Sequence, residues 1–193
     1  MATASTTISK GERQCGGCTL CCTLLPVVPL GKDGGVRCKH QRSAISAEGA
    51  GCAVYRKKGF PGECGLWSCR WLVDPTTSAL LRPDISHYVI DIVPDFITAQ
   101  NGGIEQKVPV IQVWIDPQYP DAHRDPKLRE WIVNHEPNCL MLVRYDGEEA
   151  IVLIPPHMSS TGDWEEPENL KNEGRTHRAD EIAAVLTNSG AMK

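Results

Sequence analysis

Cysteines are the residues whose type and spacing could do chemistry. Eight of the nine, Cys15, Cys18, Cys21, Cys22, Cys38, Cys52, Cys64 and Cys69, fall in one short stretch of a 193-residue chain. Thiols this dense pair as disulfides, hold metal, or pack as small buried hydrophobes. Disulfides suit short secreted chains, whereas Met1 to Glu12 is polar and carries no apolar core of a signal peptide, so a reducing, cytoplasmic setting is expected. Adjacent Cys21 and Cys22 cannot readily bridge each other, and a CxxC pair closes too small a loop to act as a staple. Metal ligation takes the remaining weight. Gly16 and Gly17 supply a tight turn that lets Cys15 and Cys18 aim both sulfurs at one ion, and Cys15-x-x-Cys18-x-x-Cys21 offers three ligands from seven residues, like the start of a ferredoxin-type run. Tetrahedral zinc needs four ligands and a cubane cluster usually four thiolates, so the later cysteines complete this site or build a second.

His40 follows Cys38 by two residues, close enough to share a site or to hydrogen-bond a sulfur. The expected metal-binding set is therefore Cys15, Cys18, Cys21, Cys22, Cys38, His40, Cys52, Cys64 and Cys69. The CxxCxxC triplet leans to iron, and the expected cofactor is an iron-sulfur cluster of the 4Fe-4S type. Cys-x-His and the abundance of thiol pairs lean to zinc, which is the alternative. No catalytic motif accompanies the cysteines. The other histidines are scattered outside any HExxH pattern, and no Walker loop, GxGxxG turn or nucleophile elbow occurs. CxxCxxC also differs from the CxxxCxxC run of radical enzymes. The reading leans away from an enzyme, toward a structural metal with protein partners, or toward electron transfer, sensing or metal handling.

The order CxxCxxCC, Cys38-x-His40, Gly51-Cys52-x-x-Tyr55, then Cys64 and Cys69 followed by Trp71-Leu72, resembles the YkgJ family of cysteine-cluster proteins, described as a zinc- or iron-chelating domain. The likeness covers residues 12–75 and extends weakly into the part that follows. Where such proteins often carry Arg-Pro after the tyrosine, this chain has Lys58-Gly59-Phe60-Pro61, so that turn is expected to differ in shape. The resemblance implies a bound metal centre and no established reaction.

Composition frames these residues. The hydrophobic fraction of 41% is enough for a core, and no run of about 18 apolar residues suggests a membrane span. The net charge of −4 divides unevenly: residues 1–75 carry ten Lys and Arg against five Asp and Glu, the rest ten against nineteen. Cations near the cysteines offset thiolates. Arg56-Lys57-Lys58 is the one basic cluster and has no interleaved aromatic platform, so nucleic acid is an unlikely partner.

The elements expected to position the cysteines are few. Residues 1–11 read as a flexible arm, 12–75 as a loop-rich metal-binding module, 76–157 as a small α+β domain, and 158–193 as a polar tail with a short helix over Ala179 to Leu186. Thr19 to Leu25 reads as a short helix stopped by Pro26 and Pro29. Trp67 and Trp71, four apart, are expected on one helical face as core packing over the metal loop. Strands are expected over His87 to Pro94, Val108 to Ile115, Leu140 to Tyr145 and Ala150 to Ile154, the first two separated by Asn101-Gly102-Gly103 and the last two by Asp146-Gly147. Pro109 favours an edge or a strand start. Asp125 to His135 is an amphipathic helix with Asp125 as N-cap, Pro126 first, and Leu128, Trp131 and Ile132 on its apolar face. The order β-β-α-β-β predicts an antiparallel sheet with one packed helix. Cys139 reads as an ordinary buried cysteine, and residues 159–175 as a solvated acidic connector.

Overall fold

A computed structural model describes residues 13–101, 104–145 and 150–166. The expected arm, the Asp146-Gly147 turn, Gly102-Gly103 and the helix over 179–186 lie outside these described residues. The fold is mixed α+β. In chain order it runs α1 (Leu20–Leu24), β1 (Gln41–Arg42), β2 (Gly51–Cys52), α2 (Gly62–Leu66), α3 (Arg70–Val73) and α4 (Pro83–Ser86). There follow β3 (Tyr88–Ile90), β4 (Asp95–Asn101), β5 (Ile104–Ile115), α5 (Pro126–His135), β6 (Leu140–Arg144) and β7 (Ala150–Leu153).

The main sheet has the order β3-β5-β6-β7, and β4 also pairs with β5. It is mixed, which corrects the expectation of an antiparallel sheet. β6 runs parallel to β5, with Val110 opposite Leu140 and Val113 opposite Val143, because α5 carries the chain back over the sheet before β6 begins. The expected strand over 87–94 pairs only as β3, and β4 lies beyond it as a strand the sequence reading did not include. Pro94 cannot donate to a ladder, and Asp91 turns the chain by accepting from Val93 N–H (2.9 Å), so pairing stops at Ile90 and restarts as β4. β3 and β4 thus share one side of β5, end to end. Pro109 faces Phe96 of β4, one residue before pairing with β6 begins at Val110; on its other side β5 is locally an edge.

Period-2 alternation assigns the two faces. On one, Ile111, Val113, Ile115, Met141, Val143, Ile151 and Leu153 join Tyr88 and Ile90 beneath Leu128, Trp131 and Ile132 of α5. The Asp125 carboxylate caps α5 by accepting from Lys127 N–H (3.0 Å) and also takes the Tyr88 hydroxyl (2.9 Å). On the opposite face, Val89 of β3 and Trp114 of β5 pack against Leu24 and Cys69, with Leu20, Cys21, Leu25, Trp67, Trp71 and Leu72 around them. The cysteine-bearing segment is therefore seated on the sheet, on the face away from α5.

Polar ties hold it there. The buried Asp91 carboxylate accepts from the indole N–H groups of Trp67 (2.8 Å) and Trp114 (3.3 Å). Arg70 pairs with Glu136, and Trp131 Nε1 donates to Thr76 Oγ1 (3.0 Å). Trp67 and Trp71 belong to no common helix, contrary to expectation, since α2 ends at Leu66 and α3 starts at Arg70; they reach the same apolar cluster across the break. Cys139 is half-buried rather than buried, its thiol 3.8 Å from Glu136 Oε2. The connector after residue 159 is docked as far as Glu166. Glu165 bridges Ile154, and Glu166 pairs with Arg124 (2.7 Å) and Arg129.

Candidate metal centre

The first turn closes with Cys18 N–H donating to Cys15 O (2.8 Å). Gly16 takes φ +52°, a conformation that side chains rarely adopt, and a Cβ there would stand 3.4 Å from Arg82 Nη1. The chain then enters α1, which carries both Cys21 and Cys22. Successive helix residues diverge by about 100°, yet these two thiols stay close enough to hydrogen-bond each other.

Cys21 faces inward. With Cys15, Cys18 and Cys69 it lines one shallow recess, walled by Trp71, Arg82, Pro83 and Val89. Cys69 arrives from the chain break before α3, as that helix's N-cap residue, and is 7% exposed. Arg82 is held by Asp84 through two hydrogen bonds (2.6 and 2.8 Å), which presents its guanidinium to Cys15 and Cys18.

Cys22 faces the loops. Its carbonyl accepts from Cys38 N–H (3.0 Å), the Cys38 carbonyl accepts from Gln41 N–H (3.0 Å), and Gln41 pairs with Cys52 in the β1–β2 ladder. Gln41 also donates to Thr19 Oγ1 (2.8 Å), fastening this ladder to α1. Cys64 on α2 stands within electrostatic reach of Cys22, Cys38 and Cys52. Lys32 is the cation of this group. Its ammonium, 7% exposed as a residue, donates to the carbonyls of Thr23 (3.0 Å), Asp33 (3.0 Å) and Leu25, and faces Cys38, Cys22, Cys21 and Cys64.

Four of the eight expected cysteines, Cys15, Cys18, Cys21 and Cys69, thus line the recess, while Cys22 is in reach of Cys38, Cys52 and Cys64 and also of Cys15 and Cys21. The hydrogen bond between Cys21 and Cys22, helped by Lys32, pulls Cys22 down to about 7 and pushes Cys21 well up. Burial raises Cys15, Cys18, Cys52 and Cys64, and takes Cys69 up to about 11. Burial lowers Lys32, against the pull of the thiolates. His40 shares the turn after Cys38 and contributes its carbonyl to Ala53 N–H (2.8 Å). Cys139 stands apart, beside Glu136.

The donor chemistry fits a thiolate-bound metal: eight sulfurs free of disulfides, with Arg82 and Lys32 beside them. Side chains as placed are neighbours rather than a coordination shell, and among the described residues no three His, Cys, Asp or Glu groups converge on one point. Lys32 and Arg82 were not singled out by sequence. Lys32 lacks a motif, and Arg82 lies beyond the cysteine stretch. An excess of cations near thiols is the one signal that pointed their way.

Comparison with known proteins adds no relative. No family model, curated protein or solved structure matches this chain.

Proposed function

We propose that this chain is a metal-binding protein whose cysteine module carries an iron-sulfur cluster in structural or redox support of a protein assembly. The observation that carries the reading is the recess that brings Cys69 together with Cys15, Cys18 and Cys21 beside Arg82, with Lys32 facing Cys38, Cys22, Cys21 and Cys64. It agrees with what the resemblance to YkgJ-type proteins implies. A bound cluster would supply one-electron exchange; the chain's own part is to hold it, with Leu24, Trp71 and Val89 excluding water from the sheet side.

Zinc is the second reading, favoured by the four cysteines that line one recess, the number a closed structural zinc site takes. Val28, Ile45 and Leu66 stand 85%, 96% and 88% exposed on the loops and helix end around the cysteines, which supports a protein partner over a solitary role. Nothing basic and aromatic together favours nucleic acid. No helix among the described residues is long and apolar enough to cross a membrane. The thiols being unpaired supports a reducing compartment such as the cytoplasm.

Anaerobic purification followed by elemental analysis and a visible spectrum of the same sample tests the proposal. Iron with acid-labile sulfide and a broad visible charge-transfer band is the expected result. Colourless protein holding zinc selects the second reading, and protein that holds neither metal overturns both.

A further inference from the structure

The loop between β2 and α2 presents a surface that metal binding does not use. We propose that Tyr55, Arg56, Lys57, Lys58, Phe60 and Leu66 form a docking surface for an acidic segment of a partner protein, which brings carboxylates to the three cations and an apolar side chain to Leu66. This rests on the reading of the chain as part of a protein assembly, and is independent of which metal the cysteines hold.

The cations of this loop are unspent. Arg56, Lys57 and Lys58 are exposed, and none makes a hydrogen bond or ion pair with the described residues. Arg56 is alone among the described arginines in this. Every other one donates to a carbonyl, carboxylate, amide or hydroxyl oxygen of the chain. Glu63, the carboxylate nearest in sequence, is exposed on α2 and pairs with none of the three.

The surface is also built. Successive turns hold its backbone, with Lys57 N–H donating to Val54 O (2.9 Å) and Phe60 N–H to Lys57 O (3.1 Å). Arg56 takes φ +54°, where glycine would be unstrained and a residue with a Cβ is uncommon. An arginine held there points to a use for its side chain. Its guanidinium lies 5.3 Å over the Tyr55 ring, and Tyr55 meets Phe60 edge to face at 5.4 Å. Phe60 in turn lies along Gly65, where a Cβ would stand 3.7 Å from the ring. The basic loop is thereby fixed against α2, whose Leu66 is 88% exposed.

The mixture of groups selects the partner. Three free cations call for an anionic ligand, and the exposed aromatic and aliphatic area beside them calls for one that is apolar in part. Single-stranded nucleic acid needs rings open for stacking, whereas Tyr55 and Phe60 are engaged with each other and with Arg56. A basic membrane patch takes about four to eight cations, more than this loop carries. A protein segment of carboxylates around a leucine-sized side chain meets both demands.

Fluorescence anisotropy with the full-length chain tests this. The probe is a labelled peptide of glutamates interspersed with leucines; the comparisons are the same peptide with lysine for glutamate, single-stranded oligouridylate, and vesicles of phosphatidylserine and phosphatidylcholine. The acidic peptide is expected to bind, more weakly as salt rises, and the lysine peptide is not. Arg56→Glu combined with Lys57→Glu and Lys58→Glu should weaken binding by about tenfold or more, since like charges then face each other. Arg56→Gly suits the positive φ and so removes one charge without disturbing the turn; it should weaken binding about two- to fivefold. Leu66→Ser should weaken binding while leaving its salt dependence unchanged. An acidic peptide that does not bind, or that binds the charge-reversed variant equally well, overturns the proposal. Tighter binding of oligouridylate or of the vesicles overturns it in favour of nucleic acid or a membrane surface. Elemental analysis of the same samples keeps the two readings apart: a chain that holds metal and ignores the peptide overturns the docking surface alone, and a chain that binds the peptide without holding metal supports the surface and overturns the metal centre.

Discussion

Cys22 and Lys32 set the chemistry at the scale of single residues. Cys22 is pulled down to about 7, because Cys21 donates to its sulfur and Lys32 faces it. In the reduced, metal-free protein Cys22 should therefore react first with iodoacetamide near neutral pH, with a rate that follows its thiolate fraction. Lys32→Met should slow that reaction and destabilise the fold by about 1–3 kcal/mol, since three carbonyls lose their donor. Alkylation mapping and urea unfolding check the two parts; unchanged Cys22 reactivity in Lys32→Met would remove the ammonium from the account. Cys69 runs the other way. Its folded value, about 11, lies above the ordinary 9.0, so its contribution to stability is complete below pH 9.0 and is lost as pH rises through about 11. Thermal melts of the metal-free protein should accordingly hold steady below pH 9 and fall above it, and the fall should shrink in Cys69→Ala.

Helix α5 and the segment after β7 are the elements whose energetics are most exposed to test. Leu128 is fully buried between α5 and the sheet, so Leu128→Ala should cost about 2–5 kcal/mol in denaturant unfolding. Asp125→Ala should cost about 1–2 kcal/mol, because it removes the helix cap and also strands the buried Tyr88 hydroxyl. At the docked connector, burial would push Glu166 up, but Arg129 and Arg124 outweigh it and hold its carboxyl below the usual range. His123 beside it is 3% exposed, its Nε2 making no hydrogen bond and lying 3.9 Å from Glu166 Oε1, and burial lowers its basicity. Glu166→Gln should thus destabilise the fold at neutral pH by leaving two arginines without their carboxylate, read as a lower unfolding midpoint. The sign at acid pH follows from the depressed value: Glu166 contributes its stability above the ordinary carboxylate range, and the contribution is lost as pH falls through the folded value.

Across the whole molecule, the sheet with α5 has its own core, while the cysteine segment shares only the cluster around Leu24, Cys69, Val89 and Trp114. Metal removal should therefore raise hydrogen exchange in α1, β1 and β2 and leave the amides of β5 and β6 protected; equal loss across both would show a single cooperative unit. The sequence by itself determined the cysteine set, the short helix α1, the capped helix α5 with its three buried residues, and the strands of the last hairpin. Each of these is written locally, in spacing, period and turn chemistry. Only the tertiary structure decided the rest. That β5 and β6 run parallel depends on where α5 lands, and that β4 exists depends on β5 being long enough to pair twice along one side. The cysteine recess is of the same kind. Spacing places Cys15 with Cys18 and Cys21, but Cys69 joins them through a helix break 48 residues on from Cys21, while adjacent Cys22 does not line the recess. Contacts between residues distant in sequence are settled by which surfaces pack, and no local pattern encodes them.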